Sequence, residues 1–322
     1  MKAEGQTVPF KDRLARQTQH GDVIFWLIAM LFAVVVVALL FAIILVTWNG
    51  SSAARHAFGL RFLTTSAWNP VTDQFGAAPA IYGTVVSSFL ALLFAAPLGV
   101  MIALFLNNLC PHRLRLPIGL MVELLAAIPS VVYGMWGIFV FIPFFRDHIA
   151  TPVSTSVGTV IPIFAGPVAV GRGLFVAGVI LAIMILPTIA AISRDVLAVV
   201  PSSQREAVTA LGATRWEVIR HADLPYARAG IVGAMMLGLG RALGETMAAT
   251  MVIGNTPQID KSLFQPATTA ASLIASQLPN ANDNMHSSAL ILLALVLFLI
   301  TLIANSIARL LVWRVSRSGQ GA

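Results

Sequence analysis

The chain alternates between long uncharged runs and shorter stretches that collect nearly all of its Lys, Arg, Asp and Glu. Six runs are long enough to cross about 30 Å of hydrocarbon, which takes roughly 20 helical residues. They are Val23 to Trp48, Tyr82 to Leu106, Ile118 to Phe145, Gly173 to Ile192, Ala229 to Gly254 and Ser288 to Val312. The runs lack the apolar-polar alternation of a barrel strand, and an unpaired backbone amide in lipid is costly, so each run predicts a helix. The pattern predicts an all-α integral membrane helical bundle of six transmembrane helices over 23–313, between tails 1–22 and 314–322. The first run is too long for a signal-peptide core, and Val46, Thr47, Trp48 and Asn49 make no small-residue cleavage site, so it reads as a retained anchor. Pro129 and Pro187 lie inside runs, where each bends or breaks its helix unless neighbours compensate.

Composition agrees: 58% of residues are apolar and 10% charged, against roughly a quarter charged in a soluble domain. The formal charge of +7 would suggest nucleic acid in a soluble protein. Here the placement of the cations reports orientation instead. Lys2, Lys11, Arg13 and Arg16 of the first tail share a side with Arg113 and Arg115. The 194–228 segment adds Arg194, Arg205, Arg215, Arg220 and Arg228 to that side, and the last tail adds Arg309, Arg314 and Arg317. The opposite side has only Arg55, Arg61, Arg146, Arg172 and Lys261. Both termini are therefore expected in the cytoplasm. The outer loops near 49–81, 146–172 and 255–287 read equally well as irregular caps or as a docking surface for an extracytoplasmic partner.

The single cysteine, Cys110, excludes an internal disulfide, the six histidines are scattered, and no metal cluster or Gly-Lys-Ser/Thr phosphate loop occurs. No metal or cofactor is expected, and ATP hydrolysis is expected on a separate chain. Gly238, Gly240 and Gly244 lie in an apolar run with no preceding strand, which excludes a dinucleotide fingerprint. Three ionisable residues at membrane depth carry the candidate chemistry: Glu123, Arg241 and Glu245. Arg241 falls near the middle of its run, with Glu245 four residues on, so one helical turn would let the two neutralise each other. They form either a structural ion pair or an anion site. Gly230, Gly233, Gly238, Gly240 and Gly244 clear space around a guanidinium, whose planar donors suit phosphate, sulfate or carboxylate. Glu245 would hold Arg241 while the path is empty, and Glu123 is either a pathway residue or an interhelical contact.

The 194–228 segment mixes charge with Leu197, Val200, Val208, Leu211, Trp216 and Ile219, and it predicts one or two short amphipathic helices, one starting after Pro201. It reads Glu206-Ala207-Val208, three residues, Gly212, nine residues, then Ala222-Asp223-Leu224-Pro225. This resembles the Glu-Ala-Ala loop of type I ABC importer permeases, with Val208 and Ala222 standing where Ala and Ile are usual. The resemblance implies that Glu206, Ala207 and Gly212 belong to a coupling helix seated on an ATPase. Ile81-Tyr82-Gly83-Thr84, the run ELLAAIPSVVYGMWG from Glu123 and the run LGLGRALGETMAATMVIGN from Leu237 resemble the PstC-type permease family of phosphate importers. That resemblance implies a second homologous permease subunit, an ATPase dimer, a periplasmic phosphate-binding protein, a surround of membrane lipid and a bacterial inner membrane. It also assigns Arg241 and Glu245 to translocation of inorganic phosphate. A permease for another oxyanion such as sulfate, a proton-coupled secondary carrier and a membrane sensor remain the rival readings.

Overall fold

The computed structural model describes residues 20–166, 168 and 170–317, so the tail cations Lys2, Lys11, Arg13 and Arg16 lie outside the described residues. Two compact units divide the chain, residues 1–50 and 51–322. The first consists of α1 (His20–Gly50), a helix with apolar side chains on every face. In the second, α2 (Ser52–Phe58) leads to a two-residue hairpin of β1 (Trp68–Asn69) and β2 (Gln74–Phe75), paired Trp68 to Phe75 and Asn69 to Gln74. Then come α3 (Ala78–Leu104), α4 (His112–Ala126) and the helical run α5 (Ser130–Thr159). After these follow α6 (Leu174–Ala198), α7 (Ser202–Ala210), α8 (Arg215–Val218) and α9 (Leu224–Leu243). The chain closes with α10 (Met247–Val252), α11 (Ala270–Gln277) and α12 (Asn284–Arg317).

The architecture is helical as expected, and four or five of the six expected spans are identified by length and apolar character among the described residues. Four helices among the described residues are long and apolar enough to cross a membrane: Val23–Gly50, Ala78–Leu109, Leu174–Ala198 and Asn284–Arg314. A fifth arises if α4 and α5 count together, and they meet at 88° beside Pro129. The expected span 229–254 is not one helix. The helix α9 begins ahead of it at Leu224, carries Arg228, Arg241 and four glycines, which lower its apolar character, and ends at Leu243. The expected span 173–192 runs on to Ala198 and so contains Arg194 and Asp195.

Proline placement explains most irregularities. Four π turns, Phe105–Leu109, Gly137–Phe141, Arg146–Ala150 and Ile219–Asp223, each end two residues before a proline: Pro111, Pro143, Pro152 and Pro225. In each case the residue before the proline donates its amide five residues back, as Leu224 does to the carbonyl of Ile219. A proline ring clashes with the carbonyl four residues earlier and offers no N–H, so one extra residue in the turn relieves the clash while keeping the neighbouring amide bonded. Pro187, in contrast, sits buried inside an unbroken α6.

The centre of the second unit is α6, where Ile180, Leu181, Met184, Ile185 and Ile189 are buried against α3, α5 and α10. A second cluster joins Phe62, Trp68 and Phe75 to Leu273, Leu290 and Leu293. Glycines permit the tightest approaches. A Cβ on Gly178 would lie 2.7 Å from Leu90, one on Gly230 would lie 2.4 Å from Val196, and one on Gly83 would lie 1.9 Å from the carbonyl oxygen of Thr268. One residue on, the Thr84 hydroxyl donates to Ala80 O (2.7 Å) and accepts the Ala270 amide (2.9 Å). The Tyr82 hydroxyl donates to the Asp260 carbonyl (3.3 Å). The Ile81–Thr84 motif thus stitches α3 to the loop before α11.

Because the obstacle at Gly83 is backbone, it cannot rotate away. Gly83→Ala is expected to destabilise the purified protein by about 1–3 kcal/mol, read as a lowered Tm in detergent. An unchanged Tm would mean that the 268 backbone can yield.

Candidate functional site

The break at the end of α9 places the candidate residues. Gly240 and Gly244 disfavour a helix that carries no other anchor there, and α9 stops with Gly244 as its closing residue. The chain resumes as α10, and the Glu245 carboxylate accepts the Ala248 amide at 3.1 Å. Ala248 is in the first turn of α10, where backbone amides have no partner within their own helix. Glu245 is therefore committed to starting the second helix. The expected ion pair with Arg241 is absent among the described residues, because an i, i+4 contact needs one continuous helix and here α9 ends at Leu243, leaving Glu245 in the gap before α10.

Arg241 is exposed, and its Nη1 donates to the hydroxyl of Thr188 on α6 at 3.2 Å. Tyr133 on α5 lies within electrostatic range, its own hydroxyl donating to the Leu125 carbonyl at 2.7 Å. Packing of α5 on α10 keeps these parts together. A Cβ on Gly134 would lie 3.2 Å from the Ala248 Cα, and one on Gly137 would lie 2.9 Å from Val252. The backbone around the end of α9 is loosely covered: a Cβ on Gly240 would meet only Asn305 at 3.5 Å, and one on Gly244 only the Gly240 carbonyl at 3.8 Å. The result is an exposed cation with one neutral hydrogen-bond partner among the described residues.

Glu123 is not brought to this site. Its carboxylate takes a hydrogen bond from Arg194 at 2.7 Å, linking α4 to α6, and Arg194 also reaches Asp195 at 3.0 Å. Gly119 makes room for that crossing, since a Cβ there would lie 2.7 Å from Arg194 Nη1.

In the 194–228 segment, α7 begins at Ser202 directly after Pro201. Glu206 and Ala207 are exposed, as are Leu211 at 89% and Trp216 at 61%. Gly212 has φ +83° and open space around it, so the requirement for glycine is conformational: it is the left-handed residue that ends α7. Thr214 and Glu217 form a capping box at the start of α8, and the Thr214 amide (2.7 Å) and hydroxyl (2.8 Å) hold the Glu217 carboxyl below the usual range.

Three residues to which the sequence reading gave no specific bond or site emerge here: Thr188, Arg205 and Asp223. Arg205 donates to the Asp223 carboxylate at 2.6 Å, and Asp223 is wholly buried. Thr188 follows a proline inside an apolar run, and Asp223 is an acid immediately before Leu-Pro. Those were the only signals available.

Residues 95–317 match the model of the family described as binding-protein-dependent transport system inner membrane component. The phosphate transport system permease protein PstC of Mesorhizobium japonicum is 46% identical, with 96% of this chain and 95% of that protein aligned. The PstC protein of Pasteurella multocida is also 46% identical, over 94% and 92%. Among solved structures, a bacterial ABC transporter involved in the import of the acidic polysaccharide alginate superposes with a TM-score of 0.53 at 20% identity, over 88% of this chain and 95% of that one, which shows a shared fold. The chain belongs to the binding-protein-dependent transport system inner membrane component family and, within it, to the PstC family of phosphate transport permeases.

Proposed function

We propose that this multi-pass membrane protein is a transport component, not an enzyme: the permease subunit that supplies half of the inward path for inorganic phosphate. The observation that carries the reading is Arg241, exposed at a helix break, held only by Thr188 among the described residues, in a chain 46% identical to PstC proteins. Hydrogen bonds to a charged group are worth about 1.5–3 kcal/mol each, and a guanidinium presents further donors once Thr188 has taken one. A neutral hydroxyl is an easy partner to displace, so an arriving tetrahedral oxyanion would replace it without first breaking an ion pair.

Glu245, fixed by the Ala248 amide, sets a negative limit on one flank of the site. Phosphate near neutral pH retains a hydrogen that can donate to a carboxylate, whereas sulfate does not, which makes Glu245 the candidate selectivity acceptor. Glu123 has the weakest claim on the anion, since Arg194 already satisfies it.

As a binding-protein-dependent permease the chain works with ATPase and substrate-binding partners. We assign the exposed Glu206, Ala207 and Gly212 surface to an ATPase dimer, the outer loops to a periplasmic phosphate-binding protein, and the uncovered Arg241 face to a second, homologous permease subunit. The cation distribution supports cytoplasmic termini in a bacterial inner membrane. ATP binding on the partner would switch the permease pair between outward and inward access by rigid-body movement.

In vesicles holding this chain with its partner subunits, Arg241→Gln is expected to cut ATP-dependent uptake of labelled phosphate at least tenfold, at wild-type assembly. A single lost charged hydrogen bond of about 1.4 kcal/mol corresponds to that factor. Uptake that survives the change would leave Arg241 a structural residue. Glu245→Gln retains an oxygen for the Ala248 amide while losing the charge, and it should narrow the preference for phosphate over sulfate in competition uptake. An unchanged preference would remove Glu245 from selectivity.

A further inference from the structure

We propose that Asp223 is the joint that carries movement of the 206–212 surface to the helix bearing Arg241, a role that rests on the import reading above. Arg205 directly precedes Glu206, and Asp223 directly precedes Leu224, the first residue of α9. Asp223 is 0% exposed, and both of its oxygens are used: Oδ1 accepts from Arg205 Nε at 2.6 Å, and Oδ2 accepts from Asn108 Nδ2. Arg205 Nη2 donates at 3.0 Å to the carbonyl of Leu197, in the last turn of α6, which also accepts the Val200 amide at 3.4 Å. Asn107 donates to the same carbonyl at 3.4 Å and to Asn108 Oδ1 at 3.0 Å. One carboxylate thus ties α7, the end of α6, the turn after α3 and the root of α9.

The attachment of α7 depends on this joint. No residue of α7 is buried, and among the described residues its side-chain hydrogen bonds to the bundle all start from Arg205. While Glu206 and Ala207 face outward, Arg205 turns in, so a push on the outer face of α7 is delivered to Asp223. From there α9 runs unbroken to Leu243, pressed on α6 through Gly230 against Val196 and Gly238 against Ile189. A buried charge with two fixed donors resists rotation, because turning the carboxylate leaves it unsatisfied. An apolar contact of the same size would slide.

Asp223 and Arg205 are positioning residues, and their signature is the coupling ratio, not the amount of transport. Asp223→Asn keeps the volume but offers an amide where Arg205 or Asn108 donates. In the reconstituted complex, ATP hydrolysis is expected to stay within about twofold of wild type while phosphate uptake falls about tenfold, raising the ATP consumed per phosphate by a factor of five or more. Arg205→Lys keeps the charge but loses the planar fork that also reaches Leu197, and it should give an intermediate ratio. If Asp223→Asn fails to assemble, Arg205→Lys supplies the ratio. Hydrolysis and uptake falling in parallel, or a wild-type ratio in both variants, would overturn the joint while leaving the import reading intact. Absence of ATP-driven phosphate uptake in the wild type would overturn both.

Discussion

Every backbone amide and carbonyl at membrane depth must find a partner within the protein, and in this chain the prolines and glycines decide how that requirement is met. Where proline withdraws a donor, the helix widens into a π turn before Pro111, Pro143, Pro152 and Pro225 or bends by 88° beside Pro129. Where glycine weakens the helix, at Gly240 and Gly244, the chain breaks and a carboxylate supplies the missing acceptor for the next one. The candidate site lies at that second solution: Arg241 is exposed in the last turn of α9, and Glu245 sits in the gap that follows. The root of the same helix, at Asp223, comes from the first solution, since the π turn before Pro225 ends on that residue.

Much of this was legible in the sequence. Uncharged runs gave the helical membrane class, Pro129 marked a real bend, and Pro201 marked the start of α7. What could not be read was continuity. An apolar run shows that a segment avoids water, but it does not show whether the segment is one helix. The 229–254 run therefore read as one helix, although it holds the end of α9, a gap and α10. The i, i+4 pairing of Arg241 with Glu245 failed for the same reason.

Partner choice was the other blind spot. Arg194 and Arg205 counted only as cations on one side, yet each forms a specific bond, to Glu123 and to Asp223. The glycines of the Ile81–Thr84 and Glu123–Gly137 segments looked like family marks, and packing gives them reasons: backbone of residue 268 against Gly83, and α10 against Gly134 and Gly137. Such contacts join residues far apart in the chain, and no local pattern encodes them.

The gap between α9 and α10 also changes what a pair of opposite charges can do. Within one helix, residues four apart keep a fixed spacing whatever the protein does around them. Across the gap, Arg241 rests on α6 through Thr188, while the Glu245 carboxylate holds the first turn of α10, which packs on α5 at Gly134. Their separation is therefore set by how α9 and α10 pack on their neighbours, not by the fixed rise of a single helix.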